Sequence, residues 1–129
     1  MNKVYKFLVN RPVASGDCVM FDIDDTLICS GDGSLNRPVY DLLFFSRSLG
    51  YKVIIMTARP YLLDVQEYTM HQLDKFNIKY DLLVMCPPSD KTKFKKVLQK
   101  ERGYNFALSV GDQLTDLTDS EASLKIETC

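Results

Sequence analysis

The chain has 129 residues, 46% of them hydrophobic and 26% charged, which suits one domain with an ordinary globular core and excludes a disordered or fibrous protein. With 16 basic and 17 acidic residues the net charge is -1. No global field therefore draws the protein to nucleic acid or anionic lipid, and any such partner has to be recognised locally.

In chain order, Val4 to Val9 reads as a lone edge strand. Val19 to Phe21 follow as a short apolar run that stops abruptly at Asp22, as a buried central strand does. A loop rich in Gly, Asp and Ser leads to Pro38, which suits the first turn of a helix. In that helix Val39, Leu42, Leu43, Ser46 and Leu49 recur at helical spacing and Gly50 is a natural stop. Val53 to Met56 is a second strand ending at Thr57. Leu62, Val65, Thr69, Leu73 and Phe76 then mark a second helix, and Leu82 to Cys86 a third strand closed by Pro87 and Pro88. Phe94, Val97 and Leu98 define one face of a lysine-rich helix. Phe106 to Val110 is a fourth strand, and Leu124 to Glu127 is another edge candidate. Strands alternating with helices at this spacing predict an α/β fold: a single Rossmann-like domain over residues 1–129, its mainly parallel sheet flanked by helices.

Asp22, Thr57 and Asp112 each stand directly after an apolar strand. In open α/β sheets the carboxyl ends of the strands form the ligand crevice, so residues distant in sequence converge there. Asp22 and Asp24 are two carboxylates two residues apart, which repel unless a cation or a shared proton intervenes. Mg2+ suits such a site, taking carboxylate oxygens and leaving positions for water and phosphate. A carboxylate can attack phosphorus while a second one serves as acid and then base, which divides the work between Asp22 and Asp24. Phosphoryl transfer further needs donors and cations around the phosphate oxygens. Thr57 offers a hydroxyl with the amide of Ala58 beside it, Lys91 or Lys93 a mobile positive charge, and Asp112 with Asp116 further carboxylates.

FDIDDTL (21–27), IIMTARP (54–60), DKTKFKK (90–96) and VGDQLTD (110–116) resemble, in order, the four motifs of the haloacid dehalogenase superfamily of phosphatases. GDQ with an Asp four residues on, and the paired Asp24-Asp25 before Thr26, are similar to its acid-phosphatase branch, subfamily IIIB. The resemblance implies an Mg2+-dependent phosphatase acting on phosphate monoesters through an aspartyl-phosphate. It implies Asp22 as nucleophile and metal ligand, and Asp24 as acid and base that also binds metal through its main-chain carbonyl. Thr57, Ala58 and Lys91 would hold phosphate, Asp112 would bind metal, and Asp116 would be an outer partner of the metal or its waters. Neither inter-motif interval has room for an inserted cap domain. The crevice is then covered only by the loop from Cys29 to Arg37 and the Pro87-Pro88 turn, and open to bulky, even macromolecular, phosphorylated substrates such as a nucleic-acid end or a phosphoprotein.

Two other readings turn on which motifs are present and in what order. A receiver-like phosphoacceptor domain shares the acids, the Thr and the Lys, but its phosphorylated Asp follows the acidic pair on a later strand, and here the last acidic motif comes after both Thr and Lys. A catalytically silent binding or storage relative is the second, yet Asp22, Asp24 and Asp112 are all present.

Outside the motifs, Cys18, Cys29, Cys86 and Cys129 lack the spacing of a zinc site or a redox CxxC and read as separate thiols. The start, MNKVYKFLVNRP, is too short in apolar residues for a signal-peptide core, and no run nears the ~20 residues of a membrane span. A reduced, cytoplasmic protein is the expectation. His71 is expected at the surface without a catalytic task, and Arg59 reads equally as a phosphate contact or a surface residue.

Overall fold

Five short runs rich in apolar residues pair into one parallel sheet in the computed structural model, which describes residues 1–129. They are β1 (Asp17–Phe21), β2 (Lys52–Thr57), β3 (Leu82–Met85), β4 (Asn105–Gly111) and β5 (Ala122–Lys125), in the spatial order β3-β2-β1-β4-β5. Each neighbouring pair is parallel. All of β1 is buried, as expected of a central strand covered on both faces.

Alternation along the strands divides the core. Val19 and Phe21 of β1 join Val53 and Ile55 of β2 in the larger cluster, with Leu42 and Leu43 from α2 (Arg37–Ser48) and Leu73 from α3 (Leu63–Lys75). Cys18 and Met20 face the other way, with Ile54, Met56 and Phe106, against Leu98 of α4 (Lys91–Arg102). Gly103 then takes a left-handed turn (φ 65°) that ends α4 and feeds β4. No domain is inserted between the strands: α2 alone links β1 to β2, and α3 alone links β2 to β3.

Four expectations are corrected here. Val4 to Val9 is not a strand but lies in α1 (Asn2–Asn10), where Leu8 is buried and Val4, Tyr5 and Phe7 pack against the larger cluster. Its backbone bonds are internal, and the Tyr51 hydroxyl donates to the Leu8 carbonyl at 2.9 Å. The buried stripe of α4 is Lys91, Lys95 and Leu98, while Phe94 and Val97 are exposed. Cys29 and Cys129 are not separate thiols but form a disulfide across 100 residues, with Cα atoms 5.1 Å apart. Cys18 and Cys86 remain buried free thiols. The edge strand near the C-terminal side runs over Ala122–Lys125, two residues earlier than the apolar pattern suggests. No helix is long and apolar enough to cross a membrane.

Candidate active site

Because β1, β2 and β4 are parallel, their carboxyl ends open on one edge of the sheet, and that edge collects the motif residues. Asp22 leaves β1 with its amide donating to the Val110 carbonyl of β4 at 3.0 Å. The next residues wrap tightly, the amides of Thr26, Leu27 and Ile28 all donating to the Ile23 carbonyl. Asp25 sits in a left-handed conformation (φ 60°), rare for a residue other than glycine. Its carboxylate accepts the Ser30 amide at 2.9 Å and hydroxyl at 2.8 Å, which holds it below the usual carboxylate range.

The carboxylate of Asp22 is buried and doubly held. Thr26 Oγ1 donates to Oδ2 at 3.3 Å, and Lys91 Nζ donates to Oδ1 at 3.0 Å. Lys91 also donates to Asp116 Oδ1. The first residue of α4 thus lies between two buried carboxylates. Burial first, then the charge of Asp116, push Asp22 up to about 7 despite the attraction of Lys91. Burial opposes the charge of Lys91, but Asp22 and Asp116 outweigh it and hold the ammonium above the ordinary lysine range. Lys93 is exposed, so of the two candidates Lys91 is the one brought to Asp22.

Asp116 joins Asp22 and Asp112 in one cluster. Carboxylate oxygens of Asp22, Asp112 and Asp116 lie within 4.8 Å of one another. Asp116 is fully buried, with Oδ2 accepting the Gln113 amide at 3.1 Å. Gly111 makes room for it, since a Cβ there would overlap the Asp116 side chain. Three clustered carboxylates against one ammonium leave excess negative charge in an all-oxygen site, a donor set that fits a hard divalent cation such as Mg2+.

The Asp24 side chain stands outside that cluster and is gripped by Arg59, whose Nε and Nη2 donate to its two oxygens at 3.1 and 2.9 Å. Arg59 Nη1 donates to Thr69 of α3 at 3.0 Å, so the fork is anchored on a helix. In the sequence Arg59 is only half visible; its signal is its place two residues after Thr57. Thr57 is buried at the end of β2, its Oγ1 accepting the Arg59 amide at 3.2 Å, and Ala58 is exposed at the mouth of the loop. His71 is exposed.

Lys95 carries no signal of its role in the sequence. It is fully buried, donating to Ser109 Oγ at 3.0 Å and to the carbonyls of Asp116 and Thr118 at 2.6 and 2.7 Å. Burial pushes its ammonium down to about 8, which at neutral pH leaves it mostly charged with one proton for each acceptor. It ties α4 to the turn that carries Asp116.

Residues 29–128 match a family described as HAD superfamily, subfamily IIIB (Acid phosphatase). The matched span contains Thr57, Lys91, Asp112 and Asp116 and begins after Asp22 and Asp24. No curated protein matches the chain. Among solved structures it is similar to a chain of the Pnkp1/Rnl/Hen1 complex (TM-score 0.69, 22% identity, covering 91% of this chain and 47% of that one). A chain of the Pnkp1/Rnl/Hen1 RNA repair complex gives TM-score 0.67 and 24% identity over 91% of this chain and 44% of that one. The class C acid phosphatase from Bacillus anthracis gives 0.67 and 14% over 91% of this chain and 61% of that one. The chain thus spans about half the length of the first two, and at these identities the likeness is one of fold.

Proposed function

Because this chain belongs to HAD superfamily subfamily IIIB, the acid phosphatases, we propose that it hydrolyses phosphate monoesters through an aspartyl-phosphate on Asp22. The observation that carries this reading is the buried Asp22 carboxylate held by Lys91 and Thr26 within reach of Asp112 and Asp116.

An Asp22 oxygen attacks phosphorus, the ester P–O bond breaks, and the Asp24 carboxyl gives its proton to the leaving alkoxide. Asp24, now a carboxylate, takes a proton from water as the water oxygen attacks phosphorus. The P–O bond to Asp22 breaks, and phosphate leaves. The two-pronged grip of Arg59 favours Asp24 as a carboxylate, so Asp24 has to turn from Arg59 toward the leaving oxygen to carry the proton, and Arg59 holds it between turnovers. Lys91, Thr57 and the amide of Ala58 face the phosphate oxygens, whose charge such fixed donors stabilise. Mg2+ held by the side chains of Asp22 and Asp112, the main-chain carbonyl of Asp24 and, directly or through water, Asp116 would neutralise the carboxylates and polarise phosphate oxygens.

The test is phosphate release from an aryl phosphate with Mg2+. Activity should disappear on thorough chelation and return with Mg2+, and turnover that survives metal removal would overturn the metal assignment.

Asp24→Asn separates the two acids. On an alkyl ester it should lower kcat by about 10^2 to 10^4, whereas an activated aryl ester, which needs no leaving-group proton, should still load Asp22 and accumulate phosphoenzyme. A mass increment of one phosphoryl group in acid-quenched protein reads this out, and equal loss on both esters with no trapped phosphate would refute the assignment.

The substrate beyond the phosphate is read as macromolecular. Lys93, Lys96 and Lys100 line a groove of about 520 Å³ with Ser89, Thr92 and Val97 along the outer side of α4, a surface suited to a further anionic segment of the substrate.

A further inference from the structure

The segment after β5 continues past the carboxyl edge of the sheet, opposite Asp25 and Asp112. The Ile126 amide donates to the Gly111 carbonyl at 2.8 Å, next to Asp112, and the Thr128 carbonyl accepts Asn36 Nδ2 at 3.2 Å. Cys129 is then bonded to Cys29, four residues after Asp25. Only Ile126 of this segment is buried; Glu127, Thr128 and Cys129 are exposed. There is open space on both sides of it. One cleft of about 430 Å³ is bounded by Asp25 and Asp112 on one wall and residues 125–129 on the other. A second, of about 650 Å³, separates the same segment from Leu35 to Val39. Residues 126–129 therefore form a strap between two cavities, fixed at one end by β5 and at the other by a solvent-accessible disulfide. It is a third cover, beside the loop from Cys29 to Arg37 and the Pro87-Pro88 turn.

We propose that the cleft between Asp112 and this strap receives the alcohol of the phosphate ester, and that the Cys29–Cys129 bond latches its outer wall. The inference rests on the phosphatase reading of the same site. Through Asp112 the cleft adjoins the carboxylate cluster, and Asp25 in its wall directly follows Asp24, so the leaving oxygen stays at Asp24 while the rest of the alcohol extends into the cleft. Its lining is rich in acceptors: the carboxylates of Asp25, Asp112 and Glu127 face one ammonium, Lys125, which already lies 3.6 Å from Glu127. Such a lining repels a second anion and favours an uncharged alcohol with several donor hydroxyls, the chemistry of a sugar. A dithiol reductant opens the latch by thiol–disulfide exchange. One of its thiolates attacks a sulfur of the pair, the mixed disulfide is displaced by its second thiol, and two protein thiols and one oxidised reductant result. The strap then keeps its Ile126 anchor but loses its outer one.

The experiment compares oxidised protein with dithiol-reduced protein and with Cys129→Ser. Thiols are counted first in non-reduced, denatured protein: two are expected, and four would overturn the latch. Binding by calorimetry and turnover are then measured, with Mg2+, for methyl phosphate, a glucose phosphate, the matching glucose bisphosphate and a 3′-phosphorylated oligonucleotide. Losing the latch should weaken glucose phosphate about tenfold, in Kd and KM, while kcat and methyl phosphate stay within about twofold. In oxidised protein the bisphosphate should bind more weakly than the monophosphate. A like loss for the oligonucleotide identifies a nucleic-acid sugar as able to fill the cleft, and its absence restricts the cleft to free sugars. Equal change for methyl and glucose phosphates, no change for either, or a preferred bisphosphate overturns the subsite. If no ester turns over while glucose phosphate still binds in a latch-dependent way, the hydrolytic reading fails and the subsite stands.

Discussion

Asp22→Asn should lower kcat by roughly four to six powers of ten, the scale on which loss of a covalent nucleophile is felt. No second group takes over the attack: Asp112 and Asp116, beside Asp22, are committed to the cation and to Lys91, and the Asp24 side chain is turned to Arg59. The carboxamide introduced by the substitution would also present either an N–H donor to Lys91 or an uncharged oxygen, so Lys91 loses one of its two anionic partners. Single-turnover kinetics with an aryl phosphate should show no burst, and acid-quenched protein should carry no phosphoryl group. Phosphate release within about tenfold of the unaltered protein would move the nucleophile elsewhere.

Lys91→Met should be the other large effect, and it should appear in both activity and stability. Removing one fixed donor to the phosphate oxygens costs about 10^2 to 10^3 in kcat. Removing one partner of a buried ionic cluster costs about 3–5 kcal/mol in stability, because Asp22 and Asp116 are left side by side without a cation. The pH dependence supplies the sign. Asp22 titrates near 7 when folded against an ordinary value of 3.8. The folded state binds its proton more tightly, so its contribution to stability is complete below about 4 and is lost as pH rises through about 7. Metal-free protein should therefore lose stability from Asp22 over that window. Lys91→Met should lose more, since the attraction that restrains the shift is gone. Mg2+ at about pH 8 should recover much of the loss in both, by charge neutralisation. Urea midpoints at about pH 5 and pH 8, with chelator and with Mg2+, read this directly. A variant as stable as the parent at the higher pH without metal would mean that Lys91 does not hold the carboxylates together.

Strand ends are the legible part of this molecule. Asp22, Thr57 and Asp112 end apolar runs, and alternating strands and helices force those ends to one edge, so their convergence follows from pattern alone. The lysine helix defeats the same kind of reading. Apolar periodicity selects Phe94, Val97 and Leu98, but the core-facing side of α4 carries two lysines whose stems pack while their ammonium groups meet Asp22, Asp116 and backbone carbonyls. A pattern of apolar residues has no symbol for a buried charge with all its partners supplied by distant loops. α1 shows a different failure, since Val4, Tyr5, Phe7 and Leu8 support either a strand or a helix face over so short a run. Arg59 and the strap depend on pairings across the fold, Arg59 with Asp24 and Cys29 with Cys129, that separation in sequence cannot reveal.

The strand order carries a consequence for how the protein is made. β1 lies between β2, its next strand in the chain, and β4, whose Phe106 pairs with Cys18. A growing chain can pair β1, β2 and β3 early, and with them bring Asp22, Asp24, Thr57 and Arg59 together. Lys91 follows as α4 emerges, but Asp112 and Asp116 arrive only with β4, after a long closure that is entropically slow. Until then one flank of β1 is an open, apolar edge able to pair with another chain. Synthesis therefore passes through a stage with a nucleophile but no complete cation site, and that stage, rather than the finished fold, is where aggregation competes.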